Sequence, residues 1–393
     1  MLEDVARAGL RRTRVAVSTG FFLQGLVFAS IVTQAPRLKD RFDLGDGGLT
    51  GLLVLVAVVS GAGSVVAGVV AQRRTSAVAF RLALLMIGAG ALLVGLAPTL
   101  PLLVAAFTVY GLGVGAVDAG MNMQGVRVQT AYGHSLMTGF HGAWSVGGIA
   151  GALYAAGAGA WDVPLEVSLL LVAVVTVGAT AWAGPAFVRS REHDPGLSAA
   201  GLELPWRPVL VLSLVVLLFY ACDTGILTWS SVYLEDALDA SSSTAPLAYG
   251  AYQAGALVSR LGGDRLVRRL GARRVVVLAT VTGSAGLVVV VASPVPATAI
   301  VGFCVVGLGL AVLAPLAFAA LAGSVPPASL DIAIARVNLA NYVGAILGGG
   351  LIGAAASADH LRWAFVIPLV LVPLVLPCAR AFATSAGRPQ DRA

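Results

Sequence analysis

Charge is what this sequence has least of: Asp, Glu, Lys and Arg together make up 11% of its 393 residues, against roughly 25% in an ordinary soluble domain. A soluble fold of this size would have too little polar surface to stay in solution, so the soluble classes are excluded. Cysteine is scarce as well. Cys222, Cys304 and Cys378 stand far apart, in no CxxC or metal-ligand spacing, so the chain offers neither a redox pair nor a zinc site. No HExxH pair, GxSxG elbow or paired-histidine spacing occurs, which argues against an intramembrane enzyme. No cofactor is expected.

The 48 glycines and 18 prolines sit inside long Leu/Val/Ala runs, a mixture that membrane helices tolerate and that does not read as disorder. The formal charge of +6 and pI near 9.6 do not mark a nucleic-acid-binding face, because the basic residues fall between apolar runs. The expected surroundings are a lipid bilayer, with nucleic acid excluded as a partner.

What the sequence does have is hydrophobic length. Hydrophobic residues make up 58% of the chain, and windows of roughly twenty residues, enough to cross a hydrocarbon core of about 30 Å, recur throughout. Spans are predicted at 15–36, 49–70, 77–97, 101–126, 137–160 and 164–188, then at 208–232, 245–267, 273–292, 296–322, 330–356 and 361–383. Arg7, Arg11, Arg12 and Arg14 precede the first window. That window has the length of a full span and shows no small-residue cleavage site, so it reads as an uncleaved helix rather than a signal peptide.

The longest polar interruption, 189–207, divides the twelve windows six and six. It reads as a cytoplasmic linker between a bundle at 1–188 and a bundle at 208–393. With both termini inside, the outer side keeps only Arg37, Lys39, Arg41 and Arg362 among the basic residues, as the positive-inside rule requires. Landmarks also recur about 200 positions apart, as in parallel repeats. Gly61 and Gly68 match Gly255 and Gly262, the run 110–116 matches 306–312, and GGIAGA at 147–152 matches GGLIGA at 349–354. Two pseudo-symmetric halves in one chain can work as a monomer.

An ionisable side chain at the centre of a membrane helix costs roughly 2.5–3.5 kcal/mol on insertion scales, so such residues are functional candidates. Two carboxylates qualify, Asp118 in the fourth span and Asp223 in the seventh. Gly111, Gly115, Asp118 and Asn122 fall on one helical stripe. Asp118 therefore either lines a cavity or bonds a neighbouring helix. Tyr220 and Ser230 share a face with Asp223, which either takes up a proton, binds a cationic substrate or packs. Burial disfavours the charged form of any carboxylate, so a proton is the expected coupling ion for such sites.

His141 opens the fifth span with Trp144 three residues on, while Gly147 and Gly151 form a GxxxG pair suited to close helix packing. Further polar candidates are Gln24 in the first span, Tyr249 and Gln253 in the eighth, and Asn338, Asn341 and Tyr342 in the eleventh.

The runs MNMQGVRVQ at 121–129, FHGAWSVGG at 140–148, WSSVYL at 229–234 and GDRLVRRLGARR at 263–274 together resemble the MosC-like bacterial branch of the major facilitator superfamily (MFS). The resemblance covers essentially the whole chain. It implies an all-α membrane protein of twelve helices in two six-helix bundles, alternating access, and a central site lined by spans 1, 4, 5, 7, 8, 10 and 11. The superfamily's basic loop corresponds here to Asp264, Arg265, Gly271, Arg273 and Arg274. Asp264 is expected to bias one conformational state by facing the start of a helix near Ser135. In the first half Val70 stands where Asp264 would be matched. Relatives tend to carry glutamate in place of Asp223, an acid in place of Thr228 and glutamate in place of Gln129.

The function expected is secondary active transport of a small polar organic molecule across a bacterial inner membrane, with proton coupling. A facilitative uniporter, a channel or a sensor without ion coupling is the alternative. Asp118 and Asp223 are expected to face a shared central cavity from opposite bundles.

Overall fold

The computed structural model of the chain describes residues 2–132, 136–189, 205–325, 330–356 and 361–386. Position 135, most of the 189–207 segment, and the side chains of Asp264 and Asn338 lie outside the described residues. The expectation that pairs Asp264 with the start of a helix near Ser135 falls there with them.

Helix accounts for nearly all of what is described, and no strand occurs among the described residues. In order the helices are α1 (Leu2–Val32), α2 (Ala35–Arg41), α3 (Asp46–Arg73), α4 (Ser76–Leu96), α5 (Leu100–Tyr132), α6 (Met137–Ala160) and α7 (Leu165–Ala183). There follow α8 (Trp206–Leu238), α9 (Pro246–Leu270), α10 (Ala272–Ala292), α11 (Pro296–Leu310), α12 (Leu313–Ala322), α13 (Leu330–Ala356), α14 (Leu361–Ala364) and α15 (Val366–Leu371). The backbone gathers into two compact units, Met1–Asp194 with Asp239–Gly250, and Pro195–Leu238 with Ala251–Ala393.

Short-range chemistry sets several boundaries. Thr75 starts α4 in extended backbone and its hydroxyl accepts from the Val78 amide at 3.3 Å, filling one of the donors a helix start leaves open. A single residue, Gly271, separates α9 from α10. Its φ of +81° is reached without the Cβ strain other residues would incur.

Prolines explain why two predicted spans are broken. Pro315 has no amide to donate to Ala311 and its ring crowds that carbonyl, and the helix is interrupted at Ala311 and Val312, between α11 and α12. Pro368, Pro373 and Pro377 do the same to the last span, which runs as α14, α15 and then tight 3-10 turns over Val372–Ala386.

Inside the first unit α1 packs on α6, and α5 packs on both α3 and α4. Glycine makes these approaches close. A Cβ on Gly147 would collide with the Phe22 carbonyl, one on Gly151 would lie 2.6 Å from the Leu26 carbonyl oxygen, and one on Gly115 would meet the Ser60 carbonyl. The second unit repeats the scheme. Gly344 and Gly348 of α13 press on the Leu217 and Ala221 carbonyls of α8, while Gly255 of α9 and Gly307 of α11 press on each other's helix.

The repeat is thus real in packing, but its register differs from the sequence match. Gly63, which meets Leu112, is the counterpart of Gly255, whereas Gly61 and Gly68 border open space. Likewise Gly344 and Gly348 make the contacts equivalent to those of Gly147 and Gly151, whereas a Cβ on Gly349 would meet open space. In Gly/Ala-rich helices a one- or two-residue shift leaves the composition almost unchanged, so only the contact fixes the register.

The outer faces stay apolar. Val65 is 68% exposed, Leu261 63% and Leu153 57%, far more apolar surface than water tolerates on a monomer. Among the described residues nine helices are long and apolar enough to cross a membrane, rather than the twelve expected. The remaining three predicted windows are helical, as α6, α9 and α13, but they are the polar or Gly/Ala-rich ones, and α13 is apolar only over Leu339–Ala355.

Two basic residues assigned to the sparsely charged side tie turns together. Arg37 bonds Gln34 at 2.9 Å and the Val163 carbonyl at 2.6 Å. Arg41 donates to the Gly95 carbonyl at 2.9 Å and pairs with Glu166 at 3.4 Å.

Candidate functional site

The first unit builds its polar centre on one face of α1. Phe21, Gln24 and Phe28 follow one another at helical spacing, and α5 brings Asp118 against the middle of the three. The Gln24 amide Nε2 donates to Asp118 Oδ1 at 2.6 Å. Gln24 is only 5% exposed, and its Oε1 has no hydrogen-bond partner among the described residues. A buried acceptor left open costs free energy and is a place where a ligand's donor is welcome.

Asn122 donates to the backbone carbonyl of Asp118 at 2.9 Å, so it supports the helix at that turn rather than the carboxylate. The predicted stripe is therefore divided: Gly111 and Gly115 serve the α3 contact, and Asp118 turns to α1.

Helix α6 supplies aromatic walls. The His141 ring lies edge-on to Phe21 with centroids 5.4 Å apart, and Trp144 lies 6.4 Å from Phe28. Tyr249, in the first turn of α9 that belongs to this unit, lies 6.4 Å from the same Phe28. Gln24, Asp118, His141, Trp144 and Tyr249 are thus gathered around α1, as candidates drawn from four separate windows of sequence.

In the second unit the carboxylate sits on the first helix instead. The Tyr252 hydroxyl of α9 donates to Asp223 Oδ1 in a short hydrogen bond. Arg260, two turns along the same helix, is near enough for its charge to act on Asp223. Gln24 and Asp223 hold comparable places in the repeat: each lies within two residues of a glycine, Gly25 or Gly225, at which α1 meets α6 and α8 meets α13.

Tyr252 is missing from the sequence-derived candidates, although its spacing of three from Tyr249 put it on the same face. Gln253 is buried and Asn341 half-buried, and neither is joined to Asp223 by a described hydrogen bond. Arg265, Arg273 and Arg274 lie exposed around the Gly271 turn.

Residues of the runs at 121–129 and 229–234 clamp helices. Gln124 bonds the Ser76 hydroxyl and the Val188 carbonyl and accepts from the Val188 amide at 2.8 Å. Gln129 Oε1 accepts from the amides of Leu136 and Met137 at 2.9 and 3.3 Å, closing the start of α6 as a capping side chain does. Trp229 Nε1 donates to the Gly349 carbonyl at 3.0 Å, and the Tyr233 hydroxyl to the Val290 carbonyl at 2.8 Å. Thr228 bonds back to the Thr224 carbonyl of its own helix at 2.7 Å.

Comparison with known proteins places this arrangement. Residues 212–392 match the family model described as Major Facilitator Superfamily. The chain is 30% identical to the uncharacterized transporter y4wD of Sinorhizobium fredii, over 91% of this chain and 95% of that one. It is 29% identical to an uncharacterized MFS-type transporter of Yersinia pestis, over 94% and 95%. It is 28% identical to the membrane protein MosC of Rhizobium meliloti, over 95% and 91%.

Among solved structures, a bacterial homologue of the human lysosomal transporter Spinster, inward-facing and unoccupied, superposes with a TM-score of 0.71 at 13% identity, covering 97% of this chain and 99% of that one. The nucleoside transporter NupG gives 0.67 at 11% identity, covering 96% and 100%. At such identity the structures speak for the fold alone, while the sequence relatives run nearly end to end. With apolar helices packed through glycine in two repeats and a half-buried carboxylate in each, the chain is a multi-pass membrane protein and belongs to the major facilitator superfamily, a family of transporters and not of enzymes.

Proposed function

We propose that this chain is a proton-coupled secondary transporter that moves a small polar organic molecule by alternating access, as a monomer, in a bacterial inner membrane. The observation that carries the reading is the Gln24–Asp118 pair: a carboxylate in a membrane helix whose hydrogen-bond partner is a neutral amide. A carboxylate satisfied by a neutral donor keeps part of its anion stabilisation yet is not locked by an opposite charge, so it can gain and lose a proton as its surroundings change. Gln24 Oε1 offers an open acceptor beside it, suited to a cargo that brings a hydroxyl or amine.

Asp223, bonded by Tyr252 and acted on by Arg260, is the second candidate for ion coupling. Trp144, Tyr249 and Phe28 supply apolar faces for the carbon skeleton of the cargo. The names of the nucleoside transporter NupG and of the glucose transporter GlcP of Staphylococcus epidermidis, 24% identical over 43% of this chain and 37% of that one, support a small polar organic cargo. Asn341 and Gln253 are kept as further contacts, and the basic turn at Arg265, Arg273 and Arg274 as the loop that biases the cycle. No cofactor enters the cycle beyond the proton.

The test is uptake into proteoliposomes of a panel of radiolabelled hexoses, nucleosides and amines, with and without an imposed pH gradient. Accumulation above the outside concentration only with the gradient supports the reading. Equilibration that ignores the gradient would favour a facilitative carrier.

The same proposal puts both termini and the 189–207 linker in the cytoplasm, on the arginine asymmetry. Single cysteines from Pro195→Cys and Gln390→Cys, in a background without the native thiols, should resist a membrane-impermeant maleimide in intact cells. Ready labelling of either would invert the orientation.

A further inference from the structure

Away from the polar centre, the first unit carries a groove of about 930 Å³ between α1, the end of α5 and α6. Its composition is graded along α1. Arg11 and Arg14 stand exposed at one end, Ser18 and Thr19 follow, and Phe22 closes the other end with Val146 opposite. From residue 11 to residue 22 a helix rises about 16 Å, close to the hydrocarbon depth of one leaflet. The Arg14 guanidinium lies 5.7 Å from the centroid of the Tyr132 ring, a contact that steadies the cation at the mouth. No acidic side chain lines the groove among the described residues.

We infer that this groove binds one anionic phospholipid, with its phosphate between Arg11 and Arg14 and an acyl chain lying over Val15, Phe22 and Val146. Charge and depth both point to a lipid rather than to a soluble anion. Two guanidiniums with no carboxylate among the described lining residues suit a phosphate, and the arginines belong to the arginine-rich side, where anionic headgroups meet basic pockets between helices. The apolar part of the groove would gain nothing from a free phosphate. Val15 and Val146, 46% and 45% exposed, present the apolar surface an acyl chain covers. The inference concerns a lipid site outside the polar centre and does not depend on the cargo or on ion coupling.

Native mass spectrometry of the full chain, released from detergent with dioleoylphosphatidylglycerol or dioleoylphosphatidylcholine, tests it. One phosphatidylglycerol should be retained in preference to phosphatidylcholine. Arg11→Gln with Arg14→Gln should weaken that retention roughly thirtyfold, from the attraction expected of two arginines near an anionic headgroup. Val146→Trp, which fills the apolar end and leaves both arginines, should weaken it too, and a hundredfold excess of glycerol 3-phosphate should not displace the lipid. Equal retention of the two lipids, or retention unchanged in the double variant, overturns the site. Displacement by glycerol 3-phosphate would make it a soluble-anion site and overturn the lipid assignment.

Discussion

Gln24 and Asp118 meet across α1 and α5 with the amide donating at 2.6 Å, and the other end of the same amide is buried without a partner among the described residues. One side chain thus supports a half-buried carboxylate in a membrane helix and keeps an acceptor open beside it. Gln24→Leu should leave the helix content intact but lower transport by roughly ten- to a hundredfold, the range for a lost hydrogen bond to a charged group. Circular dichroism and initial uptake rates, measured on the same preparation, check the two halves of this statement. Uptake at the normal rate would assign Gln24 to packing.

Tyr252 plays the equivalent supporting part for Asp223. Tyr252→Phe keeps the ring and removes the donor, so transport should fall while the thermal midpoint changes little. If instead the variant loses stability and transports normally per folded molecule, the bond belongs to the architecture and not to the cycle.

Close helix approach depends on particular glycines rather than on glycine content. Gly348→Val forces a side chain into the Ala221 carbonyl, whereas Gly349→Val meets open space. Overpacking of this kind typically costs about 1–3 kcal/mol. The first variant should lower the thermal midpoint in detergent or aggregate, and the second should behave as the parent does. Equal behaviour of the two would refute the assigned register.

Gln129 closes the start of α6 through the amides of Leu136 and Met137. Removal of a capping side chain costs about 0.5–2 kcal/mol, so Gln129→Ala should destabilise the first unit. Gln129→Glu should match or exceed the parent at neutral pH, because an anion is favoured at a helix start by about 0.3–1 kcal/mol. Thermal midpoints of the three proteins at pH 7 decide the matter.

Hydrophobic length made most of the fold legible from sequence, since α6, α9 and α13 fall where windows at 137–160, 245–267 and 330–356 were expected. The breaks at Pro315 and Pro368 were not anticipated, although the proline rule that explains them is local. Membrane helices keep such prolines because neighbouring helices satisfy the freed carbonyls, so a proline alone does not announce a break. At the site, Asp118, Gln24, His141 and Trp144 stood out as polar or aromatic groups in apolar runs, and they meet on α1. Their pairing did not show, because hydrogen bonds between α1 and α5 join residues 94 apart in sequence. Tyr252 was hidden by Tyr249 and Gln253 on either side of it, and the motif residues Gln124, Trp229 and Tyr233 proved to be clamps whose partners are backbone carbonyls, which no sequence pattern marks.

Coupling of cargo to protons through a half-buried carboxylate would show itself in proton movement. Proteoliposomes holding the dye pyranine would be offered the hexose, nucleoside and amine panel with no imposed gradient, for the parent, Asp118→Asn and Asp223→Asn. Substitution by Asn keeps the shape and removes the titration, so all three should fold alike. A pH change inside the vesicles driven by at least one solute is expected in the parent, and its loss in at least one of the two variants, Asp118→Asn first. Solute entry without any pH change in the parent, or an undiminished pH change in both variants between pH 5 and 8, would contradict it.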